Sequence, residues 1–180
     1  MREGSTTTPR ATTERTRTVD LDPIDADSAR SFLESGRLAV VGASGGSKNF
    51  GRTIYRELKN KGVEVVAVHP GGGTIDGDQC APSLSAVDGH VDGAIVMVPS
   101  SHAAQVVRDC IDKGIRKVWL FRGLGGEGSV SEEALELCRE NGIEVVPGAC
   151  PLMFLEPVGW FHRLHRSARR RRGAIAVTAG

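Results

Sequence analysis

Leu38-Ala39-Val40-Val41-Gly42-Ala43-Ser44-Gly45-Gly46-Ser47-Lys48-Asn49-Phe50-Gly51 joins an apolar run closed by a glycine, a loop of small residues and the start of a helical pattern. The four apolar residues predict a buried strand, and the glycines let the backbone approach a bound group closely. A helix that begins directly after such a loop turns free N–H groups and a positive dipole end toward an anion. The stretch therefore predicts a strand–loop–helix unit that holds a phosphate-bearing ligand.

Working outward, the alternation repeats. A helix over 50–60 places Ile54, Tyr55 and Leu58 inward and stops at Gly62. A second strand, 63–68, ends at His69-Pro70, and the turn-rich 71–78 leads to Pro82-Ser83-Leu84. A third strand, 93–98, ends at Pro99, where Ser100 or Ser101 is expected to cap a helix carrying Ala104, Val107, Cys110 and Ile111 on one face. A fourth strand, 117–121, precedes the glycine-rich 122–128. Ser129-x-x-Glu132 reads as a capping box, and Ile143–Val146 as a fifth strand. Ahead of the first strand a short helix over 27–35 is expected, capped by Asp25 or Asp27. Five short strands alternating with helices predict an α/β fold. The expected form is a doubly wound, five-stranded parallel sheet of Rossmann-like type in the order 3-2-1-4-5.

The 180 residues divide into a polar N-terminal tail expected to be disordered (1–24), one domain (25–161) and a basic C-terminal tail (162–180). Six arginines, 163, 166, 169, 170, 171 and 172, stand in that last segment although the whole chain carries only +1. A solvated tail is the expectation, with no nucleic-acid partner. No apolar run is long enough for a membrane helix, and the four cysteines form no CxxC pair. Cys110 and Cys138 lie at core spacing, so a reducing, cytoplasmic setting is expected. Leu152, Phe154, Leu155, Trp160, Phe161 and Leu164 read as an apolar cap over the sheet or the seam of a homodimer.

Three ligand classes compete for the glycine loop. Gly46-x-x-x-x-Gly51-Arg52-Thr53 approaches the phosphate loop of nucleoside triphosphatases, but arginine replaces the lysine and no later strand ends in an acid for magnesium. A nicotinamide or flavin dinucleotide calls for G-x-G-x-x-G and an acid after the second strand. Here the glycines are 42, 45, 46 and 51, and the strand ends in His69-Pro70. The third class is coenzyme A.

For that class, several segments act together: Val40-Val41-Gly42-Ala43-Ser44 with a long loop to Gly51, Val68-His69-Pro70, and Ile75-x-Gly77. Pro82-Ser83-Leu84 and Val98-Pro99-Ser100-Ser101-His102-Ala103-Ala104 continue the series. In this order, over about residues 36–150, the chain resembles the small stand-alone CoA-binding domain proteins, which are related to the N-terminal domain of the succinyl-CoA synthetase alpha subunit. The resemblance implies that backbone N–H groups of Ser44, Gly45, Gly46, Ser47 and Lys48, framed by Gly42, Ala43 and Gly51, hold the diphosphate. It implies an adenine and ribose contact at His69-Pro70, and a wall for the nucleotide or pantetheine arm at Val98 and Pro99. Ser100 falls in the same segment. The chain departs from the family in having His69 where asparagine is common, and Gly71-Gly72-Gly73 where a basic residue often follows. Lys48, Arg52 or the arginine tail would then supply charge to the 3′-phosphate. The synthetase's phosphohistidine belongs to a second domain, so ligase activity is not expected to carry over.

Other residues carry side chains capable of chemistry. Cys150-Pro151 follows the fifth strand on the ligand side, as an acyl or disulfide acceptor or as a small residue on the crevice floor. His102 stands in the first turn of a helix, within reach of a phosphate. His162 and His165 could join Cys150 at a metal, but a fourth ligand is missing and the tail repels cations. Asp76 and Asp78 suit a solvated turn. No set assembles into catalytic machinery and no metal site is expected. The reading is a module that binds coenzyme A or acyl-CoA, as a sensor or regulator. The alternative is an NAD(P)-dependent or CoA-thioester-handling enzyme that uses the same crevice.

Overall fold

The computed structural model describes residues 24–46, 49–123 and 128–155. The expectations for the N-terminal tail, Ser47, Lys48, Trp160, Phe161, Leu164, the histidines at 162 and 165 and the arginine-rich segment lie outside the described residues. The elements in chain order are α1 (Ala26–Leu33), β1 (Arg37–Val41), α2 (Phe50–Asn60), β2 (Glu64–Val68), β3 (Thr74–Ile75), β4 (Asp78–Gln79) and β5 (Gly93–Val96). They continue with α3 (Ser100–Lys113), β6 (Lys117–Leu120), α4 (Glu132–Glu140), β7 (Glu144–Pro147) and a 3-10 turn, Pro151–Phe154.

Five strands form one parallel sheet in the order β2-β1-β5-β6-β7, and β3 pairs antiparallel with β4 in a separate hairpin. The α/β parallel fold is as expected from the sequence. The strand order is not. Counting the sheet strands alone, it runs 2-1-3-4-5 where 3-2-1-4-5 was expected. Two features decide this. The outer edge of β2 is already covered: Val68 bridges Ala81, the His69 N–H donates to the Ala81 carbonyl at 2.9 Å, and the Ala81 N–H donates to Ala67 at 2.9 Å. Meanwhile every residue of β5 is buried, so that strand must have a neighbour on each side and a layer over each face.

The period of two along the strands sorts side chains into two cores. Ala39, Val41, Ala94, Val96, Val118 and Leu120 pack with Val107 and Cys110 of α3 and Ala134 and Cys138 of α4. Leu38, Val40, Ile95, Trp119 and Val146 pack with Phe32 of α1 and Ile54 and Leu58 of α2. Among the described residues no α-helix follows β7, and α1 with the 3-10 turn covers the second layer there. Trp119, fully buried, meets Phe32 edge-on at 5.4 Å and Phe154 at 5.7 Å between ring centroids. Its indole N–H donates to the Ala149 carbonyl at 2.9 Å. Leu152, Phe154 and Leu155 thus belong to the apolar cap over the sheet.

Local expectations are adjusted in three places. Asp25 caps α1, its carboxylate accepting from the Ser28 N–H at 2.9 Å. Ser131 caps α4, whereas buried Ser129 donates its hydroxyl to the Val98 carbonyl at 2.6 Å and ties the loop after β6 to the end of β5. The N-cap position of α3 is Pro99, and neither Ser100 nor Ser101 provides a side-chain cap.

Candidate functional site

In a doubly wound sheet the crevice for a ligand opens beyond the carboxyl ends of the strands where the winding reverses. With the order found here, that point lies between β1 and β5. The Gly42 N–H donates to Val68 and the Met97 N–H to Val41, both at 2.8 Å, so the ends of β2, β1 and β5 are stitched side by side. Gly42 has φ +99°, and a Cβ there would stand 2.6 Å from the Met97 carbonyl oxygen. Only glycine allows the two strand ends to approach so closely.

The loop is organised by Asn49, which the sequence reading passed over. Its side-chain oxygen accepts from the Arg52 N–H at 2.9 Å and the Ser44 N–H at 3.3 Å, while its amide donates to the Gly42 carbonyl at 3.0 Å. One side chain therefore caps α2 and fixes the turn out of β1. The signal for it was present: asparagine directly before a helical pattern is a common N-cap. Gly51 completes the join, since a Cβ there would lie 2.9 Å from Ala43 Cα. At Gly45 a Cβ would collide with the Thr74 carbonyl oxygen, whereas at Gly46 the nearest atom would be 3.7 Å away. The loop thus leans on the β3–β4 hairpin at Gly45, while a Cβ at Gly46 would make only ordinary van der Waals contact. Among the described residues, the N–H groups of Gly45 and Gly46 have no acceptor.

Opposite this loop, the first turn of α3 carries no side-chain cap, and the exposed His102 sits in it with Nδ1 3.3 Å from Ser101 Oγ. Two helix starts, those of α2 and α3, therefore border the crevice from β1 and β5. Val98 is half-buried and Pro99 exposed at the end of β5. On the other flank His69 is half-buried, its Nδ1 accepting the Gly71 N–H at 3.0 Å, and Pro70 is exposed. The ordering β2-β1-β5 lines up His69-Pro70, the glycine loop and Val98-Pro99 as three successive stations along the sheet end. Further along, Phe121 after β6 meets Phe50 of α2 at 5.5 Å between ring centroids, and Phe50 is 51% exposed. Cys150, half-buried after β7, packs against the core layer that contains α1 and α2.

Asp76 and Asp78 are not simply solvated. They occupy the β3–β4 hairpin, whose two turn residues, Asp76 (φ +50°) and Gly77 (φ +90°), have the positive φ values of a type I′ turn. Asp76 pairs with Arg52 (3.1 Å) and Arg56 (2.7 Å). Asp78 pairs with Lys59 and accepts the Tyr55 hydroxyl at 2.8 Å. The hydrogen bonds from Lys59 and Tyr55 hold the Asp78 carboxyl below its usual range. Burial, together with the Asp78 carboxylate, pushes the Tyr55 phenol up. The three buried thiols are fillers: burial raises Cys80, and pushes Cys110 to about 12 and Cys138 to about 11. Among the described residues no cluster of three or more His, Cys, Asp or Glu side chains could hold a metal ion. No helix among them is long and apolar enough to cross a membrane.

The sequence pattern of the family described as "CoA binding domain" matches residues 36–156. The chain belongs to this CoA-binding domain family. The chain is 29% identical over 125 residues to the alpha subunit of acetate–CoA ligase (ADP-forming) II from Pyrococcus furiosus, a match covering 66% of this chain and 27% of that subunit. It is 27% identical over 132 residues to the uncharacterized protein YneT of Bacillus subtilis, covering 72% of this chain and 92% of YneT. Among solved structures, a hypothetical protein from Pyrococcus horikoshii shares the fold with a TM-score of 0.67 at 22% identity, over 77% of this chain and 94% of that one. The match thus spans about a quarter of the ligase subunit and nearly the whole of YneT. Membership of the CoA-binding domain family supports a small-molecule ligand of coenzyme A type.

Proposed function

We propose that this CoA-binding domain binds coenzyme A or an acyl-CoA thioester without turning it over, and serves as a sensor or regulatory module. The diphosphate sits on the backbone N–H groups of the loop from Gly45 to Lys48, framed by Gly42, Ala43 and Gly51; the Ser44 N–H, expected from the sequence to join them, is engaged instead by the Asn49 side chain. Adenine and ribose lie against His69 and Pro70. The pantetheine arm runs along Val98 and Pro99 past the first turn of α3, where Ser100 and His102 stand. One observation supports this above the others: the Gly45 and Gly46 N–H groups have no acceptor among the described residues, and they lie beside the two helix starts at the β1/β5 switch point. A bound diphosphate satisfies those donors.

The strand order strengthens the reading. With β5 next to β1, the arm passes directly from the loop to Val98. Among the described residues no nucleophile and base face each other across the crevice. His102 is exposed beside a serine hydroxyl, and Cys150 lies at the end of a different strand.

Calorimetric titration of the full chain with CoA, acetyl-CoA, NAD, NADP and ATP tests the assignment. The expected result is binding of CoA or its thioester in preference to all three nucleotides. Tighter binding of NAD or NADP transfers the crevice to a dinucleotide enzyme. Gly46→Val is the sharper loop variant, because a Cβ there makes only ordinary van der Waals contact and leaves the packing at Thr74 alone. It should lower CoA affinity by about tenfold or more at unchanged thermal stability. Equal affinity in that variant removes the loop from the binding account.

A further inference from the structure

Arg52 and Arg56 stand four residues apart on α2 and so share a face of the helix. Both reach the same carboxylate, Asp76, through Arg52 Nη2 at 3.1 Å and Arg56 Nε at 2.7 Å. Arg52 Nη1 also approaches the Gly45 carbonyl at 3.4 Å, which sets its guanidinium between the glycine loop and the hairpin. Arg52 Nε is buried and donates to no acceptor. Two guanidinium groups on one carboxylate leave a net positive charge, and their ten N–H donors exceed what its two oxygens accept.

The position matters as much as the charge. The hairpin leaves the end of β2 just after His69-Pro70, and it touches the loop where Gly45 lies under Thr74. The residues directly after Pro70 are three glycines, so no side chain there carries charge. Among the described residues, the cations that reach the hairpin beside that corner are the two arginines on α2, through Asp76, and Lys59, through Asp78. A phosphomonoester dianion offers three acceptor oxygens and a higher charge than a carboxylate, and suits paired guanidinium forks.

We propose that Arg52 and Arg56 form the seat for the 3′-phosphate of the ligand, and that Asp76 holds the two guanidinium groups in place until that phosphate arrives. The proposal rests on the coenzyme A reading above and deepens it. It makes the arginine pair the determinant that separates CoA from 3′-dephospho-CoA, two ligands that are otherwise identical. Asp76 competes with the phosphate for the same donors, so it weakens binding while keeping the seat in shape. Asparagine tolerates the left-handed backbone at this position, so Asp76→Asn removes the charge and keeps the turn.

The experiment is calorimetric titration of the full chain with CoA and with 3′-dephospho-CoA at two salt concentrations. The unaltered protein should prefer CoA by about tenfold or more. Combined Arg52→Gln and Arg56→Gln should bring the ratio close to one, the loss falling on CoA. Asp76→Asn should raise CoA affinity several-fold, steepen its salt dependence and leave dephospho-CoA behind. A parallel loss of both ligands in the arginine variant marks a structural role and overturns the proposal. So does an unaltered preference in that variant, or a fall in CoA affinity in Asp76→Asn. Binding of both ligands without discrimination by the unaltered protein overturns the arginine seat alone, while binding of neither overturns the coenzyme A reading with it.

Discussion

At the amino end of the sheet, the Asp92 carboxylate accepts the Arg37 N–H at 2.8 Å and pairs with His90 at 3.3 Å, and the Asp92 N–H returns a bond to the Arg37 carbonyl. Lys117 of β6 pairs with Glu144 of β7 at 3.4 Å. At the carboxyl end, the Gly45 and Gly46 N–H groups lack an acceptor among the described residues, and α3 starts without a side-chain cap. The same strands therefore run from an end where polar groups satisfy one another to an end where donors remain for something else. A groove of about 540 Å³ lies at the amino end, lined by Arg30, Glu34, Asp92 and Lys117 among others. Arg30 pairs there with Asp27, Asp92 with His90 and Lys117 with Glu144, so size alone does not locate the binding site.

The sharpest way to break this comparison is to place a side chain on a crowded glycine at each end. A Cβ at Gly42 meets the Met97 carbonyl, and one at Gly36 (φ +132°) collides with the Asp92 carboxylate. Gly42→Val should cost about 3 kcal/mol in urea unfolding and abolish CoA binding. Gly36→Ala should cost about 2 kcal/mol, because the Asp92 side chain can give way, and leave CoA affinity intact. If both variants lose affinity equally, the two ends are not functionally distinct.

A smaller effect sharpens the picture within the carboxyl end. Asn49→Ala removes a cap and the tie to Gly42, at about 1 kcal/mol of stability. Because it also releases the loop, CoA affinity should fall by more than that loss of stability alone explains. Calorimetry beside thermal unfolding separates the two.

The hairpin that supports the loop gives a pH signature. Asp78 is held below its unfolded value, so its contribution is present above about pH 4 and lost as the pH falls through the folded value. Tyr55 is raised, so its contribution is full below about pH 10 and declines as the pH climbs toward the folded value. Tyr55→Phe should cost about 1 kcal/mol near neutrality and flatten the alkaline decline of the melting temperature. An alkaline slope that survives this change assigns it to another group.

The least perturbing probe is thiol labelling in the native state at pH 8. Cys150, half-buried at the carboxyl end, should react first. Cys80, Cys110 and Cys138, buried and raised by burial, should react only on unfolding. Protection of Cys150 by CoA would extend the comparison to β7.

The local pattern was enough to read five strands, α2, α3 and α4 close to their final bounds, since hydrophobic period and glycine stops act over a few residues. It was also enough to pick out Gly42, Gly45 and Gly51, because a glycine cluster between strand and helix has few structural uses. Strand order escaped it. Periodicity states that a strand is buried but not by which neighbour, and the edge of β2 is closed by Ala81, a single residue with no strand pattern of its own. The engagement of Asp76 by Arg52 and Arg56 escaped for a related reason: 24 residues separate Arg52 from its partner. The local sequence pattern alone thus determined a parallel α/β sheet with a glycine-rich loop after its first strand. Which strands flank that loop, and which charges converge beside it, was decided only in three dimensions, because pairing and packing join segments whose separation along the chain leaves no local trace.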